Sequence, residues 1–115
     1  MSKQVATLKS IALALPQTEE GTSCNKTAFK AGNKNFLFVG EEDGIWDAKL
    51  KLDESLSEAS ALAEKSPDNY GVGGTGWVTL EFPGSKGPPK KLLERWVKES
   101  YRLLVPKKVS SQLAS

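Results

Sequence analysis

The sequence has no histidine, and only one cysteine and one methionine in 115 residues. Without histidine there is no Ser-His-Asp triad, no Cys-His pair, no three-histidine zinc site and no imidazole general base within the chain. One cysteine excludes a disulfide scaffold and a four-cysteine zinc site. Cys24 lies in the polar stretch Thr22-Ser23-Cys24-Asn25-Lys26 and reads as an incidental, partly buried thiol. Long apolar runs are missing too. The longest near the N-terminus, Ile11 to Leu15, is too short for a signal-peptide core or a membrane span. Ala12-Leu13-Ala14 mimics a cleavage box without the run that should precede it. A cytoplasmic location and no membrane partner are therefore expected.

Hydrophobic residues make up 38% of the chain and charged residues 26%, which suits a folded soluble domain rather than a disordered chain. The length fits a single domain with a real core. Residues 1–108 read as that domain and 109–115 as a flexible C-terminal tail.

Residues 3 to 15 have helical spacing, with Val5, Leu8, Ile11, Ala12 and Leu15 on one stripe and Pro16 as the stop. Gln17 to Lys26 reads as a polar connector. Strands are expected over Thr27 to Ala31, Asn35 to Val39 and Ile45 to Leu52, with turns at Gly32-Asn33 and Asp43-Gly44. The third strand alternates: Trp46, Ala48, Leu50 and Leu52 share one face, and Ile45, Asp47, Lys49 and Lys51 the other. One packed and one wet face indicate an antiparallel sheet. A helix is expected from about Asp53 to Lys65, opened by a capping box, Ser55-Leu56-Ser57-Glu58. A short strand over Asn69 to Val72 and a firm one over Trp77 to Phe82 follow. The last helix opens at Pro88-Pro89 and ends near Val105. The order α-β-β-β-α-β-β-α predicts a two-layer α+β fold: an antiparallel sheet of about five strands with helices on one face.

Four blocks of this sequence resemble the MmcQ/YjbR family of small bacterial proteins. They are Leu15-Pro16-Gln17-Thr18-Glu19-Glu20-Gly21-Thr22, Ala28-Phe29-Lys30-Ala31-Gly32-Asn33-Lys34-Asn35-Phe36, Gly76-Trp77-Val78-Thr79-Leu80 and Glu99-Ser100-Tyr101-Arg102-Leu103-Leu104. The resemblance spans residues 8 to 105. It implies an α+β fold like that of type III secretion chaperones, and DNA binding with hairpins acting as wings. One departure stands out. Many relatives carry a basic residue just before the tryptophan, where this chain has Gly73-Gly74-Thr75-Gly76.

The residues themselves point to the last helix. At about 100° per residue, Leu93, Trp96, Val97, Ser100, Tyr101 and Leu104 form its core face. Lys91, Arg95, Lys98 and Arg102 form an opposite stripe that contains no acid. Residues 86–108 hold eight basic and two acidic side chains, a balance of +6; the chain total is +2, so the rest carries −4. Such a stripe can track a phosphate backbone without reading bases, though a solvated helix face has the same composition. Four phosphate contacts would give a salt slope of about −3.6. Lys30 and Lys34, with Asn33 and Asn35, make the first hairpin tip a second candidate, while turn chemistry explains the same residues. The next tip, Glu41-Glu42-Asp43-Gly44, would repel phosphate. On the open sheet face, Trp77 with Lys49 and Lys51 suits base stacking or a dimer patch. Cover by loops is the ordinary expectation for Trp77.

Gly71-Val72-Gly73-Gly74-Thr75-Gly76 matches G-x-G-x-x-G, but a strand follows where a dinucleotide site needs a helix. The acidic clusters Glu19-Glu20, Glu41-Glu42-Asp43 and Asp53-Glu54 fall in loops, turns or helix starts, and none has calcium-loop spacing. The expectation is a non-enzymatic protein with no cofactor or metal, binding nucleic acid (DNA rather than RNA) through Lys30, Lys34, Lys91, Arg95, Lys98 and Arg102, as a monomer or weak homodimer. The alternative is a protein-interaction or dimerisation module using the open sheet face.

Overall fold

The computed structural model describes residues 3–23, 26–84 and 86–111. Cys24 lies outside them, as do the last four residues of the expected tail. The elements run α1 (Lys3–Leu13), β1 (Glu19–Ser23), β2 (Lys26–Ala31), β3 (Lys34–Glu42), β4 (Ile45–Lys51), α2 (Leu56–Lys65), β5 (Tyr70–Val72), β6 (Trp77–Pro83), α3 (Lys90–Leu104) and α4 (Lys107–Ser110). The sheet has six strands in the order β1-β2-β3-β4-β6-β5. Every neighbouring pair is antiparallel. Helices α1 and α3 pack on one face over β3 and β4, and α2 packs against β5 at the sheet's end.

The sixth strand is β1, in the segment expected to be a connector. Glu19, Glu20, Gly21 and Thr22 are all exposed, so this edge strand pairs with β2 through its backbone and carries no hydrophobic alternation. Its charges suit an edge, where they discourage pairing with another chain. The alternation in β4 appears as expected: Trp46, Ala48, Leu50 and Leu52 are buried while Ile45 and Lys49 are exposed. In β3 the pairing with β2 shifts by one residue, from Phe29↔Leu37 to Lys30↔Asn35. This bulge lets consecutive residues Phe36 and Leu37 both reach the core.

The core joins Val5, Leu8, Ile11 and Ala12 of α1 to Leu93, Trp96, Val97 and Tyr101 of α3 and to the inner face of the sheet. Trp46 and Trp96 are fully buried. The indole N–H of Trp46 donates to the Lys86 carbonyl at 2.8 Å, and that of Trp96 donates to Glu58 at 3.0 Å. The expected capping box is not formed. Ser55 stands at the N-cap of α2 without a side-chain capping bond, because its hydroxyl donates to Glu99 at 2.7 Å and Glu58 is drawn to α3. The short helix α4 covers the start of the segment read as a tail. Among the described residues no helix is long and apolar enough to cross a membrane.

Candidate nucleic-acid interface

Three consecutive residues of α3 fix this helix against three different elements. The Glu99 carboxylate accepts the backbone N–H of Asp53 at 2.7 Å, the N–H of Ser55 at 3.1 Å and the Ser55 hydroxyl. It occupies the N-terminus of α2, where an anion is favoured by unpaired amides and the helix dipole. Burial acts to raise the Glu99 pKa, but the hydrogen bonds from Asp53 and Ser55 outweigh it and hold the carboxyl below its ordinary value. Ser100 lies between β3 and β4. Its hydroxyl accepts the Lys51 N–H at 3.0 Å and donates to the Phe36 carbonyl at 2.6 Å, joining two strands just beyond the Phe38↔Lys49 pair that ends their ladder. The Tyr101 hydroxyl donates to the Pro16 carbonyl at 2.7 Å, and its ring meets Phe36 edge-on at 5.1 Å. Three of the four sequence blocks that carry the family resemblance, those holding Pro16, Phe36 and Ser100-Tyr101, thus meet inside the fold.

This anchoring orients the basic stripe, and the structure corrects one expectation about it. Arg95 donates to Glu58 at 2.9 Å, and Lys98 to Glu94 at 3.4 Å. The stripe is therefore not free of acid: its two central cations carry carboxylate partners. A single-helix projection misses Glu58 because it comes from α2. It misses Glu94 because that residue sits about 40° from Lys98, just outside the stripe. The Trp96 N–H is the leading cause that lowers the Glu58 pKa; burial opposes it, and Arg95 adds to the lowering. Lys91 and Arg102 are exposed at opposite ends of α3, about 16 Å apart along the axis. Arg102 also borders a depression with Asp53, Glu54, Arg95, Glu99 and Leu103. The anion position in that depression, at the α2 N-terminus, is filled by Glu99.

The two basic segments picked from the sequence do come together, at a different place. Gly32 and Asn33 form the two-residue tip of the β2–β3 hairpin with φ of 55° and 66°, the left-handed pair that such a tip requires. A Cβ at Gly32 would lie 2.9 Å from Pro106 Cδ and 3.4 Å from Val109 Cγ2, so the tip rests on the corner between α3 and α4. Lys30 and Lys34 flank the tip, and Lys107 and Lys108 are exposed on α4. With Arg102 in the last turn of α3, where it also borders Asp53 and Glu54, five cations lie toward one end of the molecule. Sequence reasoning counted Lys107 and Lys108 in the charge balance of residues 86–108 but did not place them, because they follow the end of the last helix near Val105, beyond the helical spacing that orients side chains.

The β3–β4 tip points the other way. Glu41, Glu42 and Asp43 border a shallow depression there with Asp47 and Glu81. Lys26 reaches Asp47 from β2 across Gly40 and forms a hydrogen-bonded ion pair. A Cβ at Gly40 would lie 2.5 Å from Asp47 Oδ1, so a side chain there would push the Asp47 carboxylate aside. The glycine-rich segment starts within β5, and residues 73–76 join that strand to β6, with the Gly73 N–H bonded to the Trp77 carbonyl at 2.8 Å; a strand follows it, as expected. Trp77 is half-buried, with two side chains beside it. Phe38 lies 6.2 Å from its ring, and Lys49 Nζ stands 5.6 Å from its ring centroid. Among the described residues no group of three or more His, Cys, Asp or Glu is placed to hold a metal ion.

The architecture is that of a two-layer α+β domain whose open antiparallel sheet carries charge sorted by end. The chain belongs to the YjbR family, whose model matches residues 13–103. Among solved structures it is similar to Deinococcus radiodurans protein DR2400, a DUF419-domain protein. The TM-score is 0.68 at 23% identity, covering 86% of this chain and 76% of that one. That likeness is one of fold. No curated protein matches the chain.

Proposed function

We propose that this protein is a non-catalytic, cytoplasmic bacterial nucleic-acid-binding protein, acting as a monomer or weak homodimer. It holds the phosphate backbone, of DNA in the first instance, at the end where the β2–β3 tip meets the α3–α4 corner. One observation carries this reading: Gly32 packs on Pro106 and Val109, bringing Lys30 and Lys34 to the same end as Arg102, Lys107 and Lys108. Among the described residues, no carboxylate forms an ion pair with any of these five. Arg95 and Lys98 contribute less than the helix stripe alone suggests, because a phosphate must compete with Glu58 and Glu94 for them. Lys91 belongs to the far end of α3 and adds at most a distant contact. Contacts of this kind position a backbone and read no sequence.

The test is fluorescence anisotropy of a labelled mixed-sequence duplex in low salt. Reversing Lys34 and Lys107 together (K34E with K107E) should weaken binding at least tenfold. Reversing Arg95 and Lys98 should weaken it less. An unbound duplex at low salt, or the opposite ranking of the two double variants, would remove the basic end from the account.

A further inference from the structure

We infer that the open face of the sheet takes single-stranded nucleic acid, with unstacked bases on Trp77 and Phe38 and phosphates on Lys30, Lys49 and Lys51. This rests on the reading of the protein as a nucleic-acid binder and names the form of polymer that this face would accept. The register decides which side chains share the face. Phe38 pairs with Lys49, and Lys51 with Trp77. Lys30 follows Ala28, which pairs with Phe38, two positions along β2, so it projects to the same side. Lys30, Lys51 and Trp77 thus lie across β2, β4 and β6, a span of about 14 Å at ordinary strand spacing.

Two half-buried aromatic rings 6.2 Å apart and tilted by 54° expose π-surface that the core does not use. Lys49 rests over the indole at 5.6 Å. Its flexible stem can leave the ring to a base while its ammonium stays within reach of the backbone. Charge restricts where a strand can lie. The opposite half of this face holds Asp47, Glu81 and Glu42, with Lys26 already committed to Asp47. A polyanion is confined to the half that adjoins the basic end. Glu19, opposite Lys30 on β1, closes the track at the sheet's edge. Duplex bases are stacked on each other and cannot use the rings, so the aromatic pair favours single strands.

The reporter is built in. Trp46 and Trp96 are fully buried, and Trp77 alone of the three tryptophans is half-exposed. A labelled oligothymidylate titrated into the full chain at low salt should raise the label's anisotropy and quench tryptophan emission together. Trp77→Thr, which keeps a strand-forming residue, should weaken oligothymidylate binding about tenfold while changing duplex affinity less than twofold. The quenching of the unaltered protein stands whether or not the variant folds. Anisotropy that rises with unchanged emission would overturn the stacking inference and leave backbone capture at the basic end intact. No binding of either polymer would overturn both. Emission that changes with protein concentration, without oligonucleotide, would assign the face to a second copy of the chain and overturn it as well.

Discussion

Ser100 is the smallest side chain on the buried face of α3, and its hydroxyl bonds a donor and an acceptor on two different strands. Ser100→Ala would leave the Lys51 N–H and the Phe36 carbonyl without that partner in the interior. The expected cost is about 1–3 kcal/mol, seen as a lower urea midpoint with an unchanged m-value. Wild-type stability in the variant would mean that the two strand groups find other partners. Tyr101→Phe removes only the bond to the Pro16 carbonyl and keeps the ring against Phe36. It should cost less, about 1 kcal/mol. Ser100 and Tyr101 were legible in the sequence as core positions from helical spacing alone. Their polar partners were not, because Phe36, Lys51 and Pro16 lie far away in the chain and nothing local encodes the meeting. Pro16, Phe36, Ser100 and Tyr101 all lie in the resemblance blocks, and so do Lys30, Lys34, Trp77 and Arg102; the same blocks therefore hold both the packing of α3 on the sheet and part of the proposed polyanion surface.

At the scale of elements, α2 depends on a cap supplied by α3. Only Ala59 of this helix is buried, so its hold on the molecule owes much to Glu99 at its N-terminus and to Glu58 on Arg95 and Trp96. Both carboxyls have lowered pKa values in the folded state. The stabilisation they supply is therefore complete above the unfolded carboxylate pKa of about 4.3 and is lost as pH falls through their lower folded values. Glu99→Gln should destabilise the protein by about 1 kcal/mol at neutral pH and flatten the decline in stability below about pH 4.3. Thermal unfolding between pH 3 and 7 checks this; an acid limb of unchanged steepness would argue against the cap. The sequence does suggest a helix start here, since Ser55 to Glu58 has the capping-box pattern. The pattern misleads because both of its polar residues have stronger partners on α3. The other element that sequence reasoning lost, β1, failed for a different reason: an exposed edge strand has no buried side chains with which to announce its period.

Across the whole molecule, the +6 balance of residues 86–108 folds into separated groups rather than one continuous stripe. Glu58 and Glu94 engage its middle. Its C-terminal part joins the β2–β3 tip, and the acidic β3–β4 tip lies at the other end of the strands. The hairpins differ in charge, so a scheme in which each acts as a wing on DNA does not suit this chain. Charge segregation was legible in composition. Its placement was not, because it depends on Pro106 turning the chain so that Gly32 can rest on it. The measurement that bears most directly on this account is the salt dependence of duplex affinity between 50 and 200 mM. Five phosphate contacts predict a log–log slope of about −4.5 and a loss of about 500-fold over that range. With Lys34 and Lys107 reversed, the slope should become shallower by about two contacts, to about −2.7. A slope near zero, or one that Lys34 and Lys107 leave unchanged while Arg95 and Lys98 reduce it, would contradict the placement of the binding surface at the hairpin–helix corner.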